Sequence, residues 1–213
     1  MGVYYGTDAV AEIQDFYGVE NERGNPNYDT THRVTADIIY ELPGLSNMTA
    51  PVRTVLGGWQ MSAIYSGSTG NPVRVTQGCS NAWACRGDYL GGDIVLENSP
   101  AFNTPVTGRH TFVRYINPAA FAKVPEVGGV AIRPGNAANG IVRGPGQWTI
   151  DFSLSKRFAF TEAAGLQIRA DMFNFFNHVN LGGINGNVES SDFGVIDSAG
   201  GMRTMQVGAR ITF

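Results

Sequence analysis

Five stretches of this chain alternate apolar and polar residues with a period of two. No other feature constrains the fold as tightly, because a β-strand sends successive side chains to opposite faces. In HRVTADIIYELP, Val34, Ala36, Ile38, Tyr40 and Leu42 share one face, and Arg33, Thr35, Asp37 and Glu41 share the other. In GWQMSAIYSGS, Trp59, Met61, Ala63 and Tyr65 oppose Gln60, Ser62, Ser66 and Ser68. In WTIDFSLSKRFAF, Trp148, Ile150, Phe152, Leu154, Phe158 and Phe160 oppose Thr149, Asp151, Ser153, Ser155 and Arg157. In LQIRADMFNFFN, Leu166, Ile168, Ala170 and Met172 oppose Gln167, Arg169 and Asp171. At the C-terminus, Met205, Val207, Ala209, Ile211 and Phe213 oppose Thr204, Gln206, Gly208, Arg210 and Thr212.

One face is thus almost purely apolar. The other carries Arg33, Asp37, Asp151, Arg157, Arg169, Asp171 and Arg210 and has to be wet, since unpaired buried charge is costly. The segments run roughly 11–13 residues, against ~5–6 in soluble sheets and ~9–11 for a tilted strand crossing a bilayer. Hydrophobic residues make up 43% of the chain and charged residues 15%, where a soluble domain carries about 25% charged. No stretch approaches the ~18–20 apolar residues of a membrane helix. Two classes remain: a soluble all-β protein, and a membrane β-barrel whose apolar residues sit at every second position. The net charge of −3 gives no basic footprint, so nucleic acid is not an expected partner.

Connection lengths alternate. TEAAG is a tight turn and GLSNMTAPVRTVLG is of moderate length, whereas the spans at about 71–147 and 179–201 are long and rich in Gly, Asn, Ser and Pro. Outer-membrane barrels alternate short periplasmic turns with long extracellular loops in this way. With TEAAG periplasmic, the parity also puts GLSNMTAPVRTVLG and the C-terminus on the periplasmic side. Tyr40, Trp59, Phe158, Phe160 and Phe213 then fall at the periplasmic end of the apolar face, and Trp148 and Phe176 at the extracellular end. Rings concentrate at both bilayer interfaces in such barrels. Lys156 and Asn174 break the pattern by lying on the apolar face; the Lys156 amine is expected to snorkel to the headgroups.

Five strands are readable, or six if GVYYGT is the tail of another. Membrane barrels use at least about eight, and an open sheet edge in lipid costs several kcal/mol per unpaired backbone group. The first 25 residues also lack the basic and apolar regions of a signal peptide. Both observations imply the C-terminal part of a longer protein. Residues 1–31 are expected to hold the end of a preceding strand and an extracellular loop. Residues 32–213 then hold barrel strands with long loops, and 202–213 the last strand.

Little chemistry is visible. Cys79 and Cys85 lie in GCSNAWAC and are expected to close a small disulfide ring in an oxidising compartment, with two free thiols the other possibility. His32, His110 and His178 are scattered, and no metal, P-loop or nucleophile motif occurs, so no cofactor, metal or catalysis is expected. Asp151 and Asp171 share the polar face of neighbouring strands; a lumenal charge ladder explains them better than a paired-carboxylate site. Arg86-Gly87-Asp88 is discounted as an adhesion tripeptide. In FNFFNHVN, Phe173 and Phe175 are expected to point into the lumen, packing over the barrel mouth. The 71–147 span is the expected place of substrate contact.

The last eight residues, QVGARITF, place Gln206, Gly208, Ile211 and a terminal Phe213 in a pattern that resembles the C-terminal signal read by the barrel assembly machinery. Further stretches resemble TonB-dependent outer-membrane receptors of the Oar-like type. They are YDTTHRVTADIIYELPG, LGGWQMSAIYSGSTGNPV, YINPAAFAKVP, GNAANGIVRGPGQWTIDFSLSKRFAF and LQIRADMFNFFNHVNLGGING. They follow the family's order from about residue 27 onward. The resemblance implies a barrel of about 22 strands with an N-terminal plug, driven by TonB, of which this chain is part of the wall. Its partners would be the rest of the barrel, the plug, the TonB system, the assembly machinery and outer-membrane lipid. The alternative is a soluble secreted β-sandwich that binds glycan or another surface. In that fold Val34, Met61, Ile150, Ile168 and Val207 would be buried between two sheets.

Overall fold

The computed structural model describes residues 14, 22–78, 86–96 and 113–213. Cys79, Cys85, His110 and the GVYYGT segment lie outside them. The chain divides into two compact units, one of residues 32–68, 147–180 and 200–213 and the other of 1–31, 69–146 and 181–199.

The first unit is an open antiparallel sheet of five strands: β1 (Arg33–Glu41), β2 (Trp59–Ser68), β3 (Gln147–Ala159), β4 (Gly165–Phe173) and β5 (Thr204–Thr212). They lie side by side in chain order. Directly paired residues point to the same face, so the register tests the alternation. Across the sheet, Ile38 pairs with Ala63, Ala63 with Phe152, Phe152 with Met172, and Met172 with Met205. Nearer the turns, Tyr40 pairs with Met61, Met61 with Leu154, Leu154 with Ala170, and Ala170 with Val207. Every paired apolar position read from the sequence falls on one face. A slip of one residue in any strand would have reversed that strand's faces. The polar face also admits Ile39 and Ile64, which pair with Ser62 and with Asp37 and Asp151.

The apolar face does not form the protein's core. Val34, Met61, Ile150, Ile168 and Val207 line one side of a single sheet; β1 and β5 are exposed along their length, with Val34 55% and Val207 74% exposed. A sandwich requires these side chains to be buried. At one end the strands are joined by the tight turn after β3, where Phe160 and Thr161 N–H groups both donate to the Ala164 carbonyl. The same end carries the connection from β1 to β2, which forms a short helix, α1 (Ala50–Leu56), begun by a proline in its first turn.

Helix α1 corrects the expectation for Lys156. The amine is taken up by the end of the helix. Its Nζ donates to the Val55 carbonyl at 3.2 Å and to the Gly57 carbonyl, and the residue is buried. The last carbonyls of a helix have no partner within it and carry its negative end, so they suit an ammonium that would otherwise lie bare on an apolar face.

The second unit occupies the spans read as long loops, yet it has a core of its own. Val75, Tyr115, Ile116, Ala120, Phe121, Ala137, Val142, Phe193 and Ile196 pack together. Short ladders frame it, pairing 72–73 with 142–143, 88–89 with 121–122, and 181–184 with 195–199. YINPAAF contributes much of the core because Asn117 caps a single 3-10 turn at Pro118–Ala120, its side-chain oxygen accepting from the Ala119 N–H. Gly194 has φ +74, and a Cβ there would stand 2.6 Å from the Ile116 carbonyl oxygen. Gly194→Ala is therefore expected to destabilise this unit by about 1–3 kcal/mol, read as faster amide exchange at Tyr115 and Ile116, whose N–H groups both donate to the Gly194 carbonyl. Exchange unchanged from the parent would contradict the packing.

Candidate functional site

The sheet offers three chemically distinct surfaces. The apolar face is rimmed by rings at both ends. At the turn end, Trp59 pairs with Lys156 and Phe158 with Leu166; Nζ of Lys156 lies 5.6 Å from the Trp59 ring centre and 5.1 Å from that of Phe158. Tyr40, Phe160 and Phe213 are exposed. At the loop end, Trp148 stacks on His178 at 4.1 Å and lies 6.4 Å from Phe176.

Phe175 departs from the sequence expectation. Its ring packs 5.2 Å from Phe152, an apolar-face residue, so it does not point to the polar side with Phe173. The cause is Asn174, which has φ +51 and resets the alternation. Asn174 is no lipid-facing anomaly either. Its Nδ2 donates to the carbonyls of His178 and Gly201, and its Oδ1 accepts from the His178 N–H. Asn180, which sequence reasoning missed, extends the ladder beyond the end of β4: it accepts from the Trp148 N–H at 2.8 Å and donates to the Trp148 carbonyl at 3.0 Å.

The polar face is cross-linked by its own charges. Asp171 accepts from Ser153 Oγ at 2.6 Å and Arg169 Nε at 2.7 Å. Asp151 accepts from the Asn174 N–H at 2.9 Å. Each of these two carboxylates is held by its own neighbours. Arg157, Gln167 and Arg210 form one row near the turns, Gln167 pairing with both arginines, while Asp37 stands beside Ile64. At the loop end a shallow depression of ≈ 350 Å³ is lined by Arg33, Thr35, Ser66, Ser68, Gln147 and Thr149. Gly67, Trp148 and Asn180 complete the lining, so hydroxyls, two amides and one guanidinium stand beside an indole, a surface for water, polar backbone or an oxygen-rich ligand with an apolar flank.

The third surface is the edge of β5. The strand pairs with β4 alone among the described residues. Gln206 sits opposite Asp171, Gly208 opposite Arg169 and Ile211 opposite Leu166. Phe213 lies just past the strand and is 99% exposed.

In the second unit an apolar pocket of ≈ 430 Å³ is walled by Ile94, Val95, Tyr115, Ile141 and the backbone of Gly70 and Gly144. The Arg-Gly-Asp tripeptide is consumed internally: Arg86 pairs with Glu22, and Asp88 makes a two-pronged pair with Arg133 at 2.8 and 2.6 Å. The Arg133 hydrogen bond holds the Asp88 carboxyl below its ordinary 3.8, and Lys123 likewise lowers Glu189 from 4.5. A depressed carboxylate stabilises the fold above its ordinary value and ceases to do so as pH falls through its folded one. The unit is therefore expected to hold from neutral pH to about 4.5 and to loosen below it. Amide exchange at Tyr89, whose N–H donates to the Asn136 side chain, reads this directly. Arg133→Met should lower the protection at neutral pH and flatten its fall in acid, because Asp88 then no longer titrates below its ordinary value; an unchanged profile would contradict the role of the pair.

Among the described residues no group of metal ligands occurs and no helix is long and apolar enough to cross a membrane. No curated protein and no solved structure matches. A family model described as an outer membrane beta-barrel domain matches residues 2–206. With a match across nearly its whole length, and a sheet that is greasy on one side and charged on the other, this chain belongs to the outer membrane beta-barrel domain family and resides in the bacterial outer membrane.

Proposed function

We propose that this chain is the C-terminal wall of a TonB-dependent transporter of the Oar-like type, working in uptake or export of a large substrate and carrying no catalysis. The observation behind this reading is the polar face. Charged residues, among them Arg33, Asp37, Asp151, Arg157, Arg169, Asp171 and Arg210, stand on it, opposite a face suited to lipid. In a closed barrel they line a wet lumen, where they contact water and the plug. Five strands fall short of the at least about eight that close a barrel; the family resemblance implies about 22, with the plug and the TonB contact supplied by other parts of the protein. The apolar pocket and polar depression offer the transported substrate its first contacts.

The test uses the gene that encodes this chain. Its full product, purified in detergent, is mixed with the soluble C-terminal domain of TonB, and binding is measured by calorimetry. Saturable one-to-one binding is expected. A product that forms a closed barrel and shows no TonB binding would contradict the reading and leave an unenergised barrel.

A further inference from the structure

We infer that α1 is a membrane-interface helix, laid on the lipid side of the barrel wall at its periplasmic rim and tethered there by Lys156, with inner-leaflet phospholipid covering its apolar stripe. The inference rests on the family's place in the outer membrane and not on TonB dependence.

Three observations lead to it. First, the helix is attached to the lipid-side face. Lys156 and Trp59 are cross-strand partners on that face. Lys156 Nζ donates to the Val55 and Gly57 carbonyls, and Trp59 Nε1 donates to the Val55 carbonyl at 3.0 Å. Second, the helix has an apolar stripe that no described residue covers. Val52, Val55 and Leu56 follow the spacing that places side chains together on one helical face, and Met48 stands in the bend just before the helix; all four are exposed, and the helix buries none of its residues. Third, its level matches an interface. It joins the sheet at the turn end, where Trp59 and Phe158 sit, and indole rings settle at the headgroup boundary.

The occupant follows from continuity. The stripe adjoins a face that lipid already covers, and Arg53 in the last turn supplies a cation beside it, as on helices that lie in the headgroup layer. Lys156 also gains a purpose: an ammonium on the lipid side is tolerated because helix carbonyls neutralise it, and the helix is held down in return.

The test is photo-crosslinking in cells that express the gene encoding this chain. p-Benzoylphenylalanine is placed singly at positions 52, 55, 207 and 153, and adducts are identified by mass. Phospholipid adducts are expected at 52, 55 and 207, and none at 153 on the polar face. Lipid at 207 with a protein adduct, a lipopolysaccharide adduct or no adduct at 55 would overturn the inference while leaving the wall in the membrane. Absence of lipid at 207 as well would overturn the membrane placement itself. In Lys156→Met the adduct at 55 should fall about fivefold, the effect of one modest hydrogen bond, with the adduct at 207 unchanged. Heat-modifiable electrophoretic mobility checks that this variant is folded. A folded variant with full yield at 55 would overturn the tether.

Discussion

Arginine in place of Val207 is expected to cost the folded protein about 2–4 kcal/mol in phospholipid vesicles, the range for a cation at the midplane of a barrel's lipid face. Val207 is 74% exposed and centrally placed in β5, so the new side chain meets no steric obstacle within the chain. On a sheet facing water the same change would fall within about 0.5 kcal/mol. The neighbouring substitution Gln206→Arg is the internal control. Gln206 stands on the other face, opposite Asp171, and a cation there is expected to be neutral or mildly favourable. Urea titration of the two variants separates the faces. Equal stabilities would mean that the alternation carries no information about the solvent on each side.

Removing Phe213 is expected to reduce assembly into the outer membrane roughly ten- to hundredfold, since burial of a Phe side chain is worth about 1.5–3 kcal/mol and each 1.4 kcal/mol is about a factor of ten in binding. The ring is 99% exposed, so the packing of the described residues does not depend on it. The expectation is that it contacts another surface. An open strand edge ending in an aromatic suits pairing with a partner strand. Ile211 reads the same way, exposed next to Leu166. The measurement is the ratio of heat-modifiable, membrane-inserted protein to periplasmic protein for Phe213→Ala and for the deletion. Insertion at the parental level would remove the assembly role from the C-terminus.

The sheet was legible because a surface uncovered on both sides writes its solvents directly into the alternation, and each strand repeats the same message. From Val34 to Ile211, the cross-strand partners unite on one face. The failures have local causes. Phe175 was sent to the wrong side because Asn174 adopts a left-handed conformation that no period reveals. Lys156 was marked as anomalous and given the wrong partner, because the seven-residue α1 is too short to show a helical pattern in a connection of moderate length. The second unit was hidden for a different reason. Its ladders are mostly two residues long and join distant positions such as Val73 and Val142, so its core leaves no period at all. Its one visible trace was YINPAAF, conspicuous in the family resemblance and central in the packing.

The account stands on which solvent touches which face, and nuclear magnetic resonance in lipid nanodiscs measures that contact itself. With methyl groups of Ile and Val labelled, magnetisation transfer from acyl-chain methylene protons should reach Val34, Ile38, Ile150, Ile168 and Val207, while transfer from water should reach the amides around Ser153 and Asp171. Transfer to those five methyls from other protein protons alone, with no lipid signal, would contradict the account.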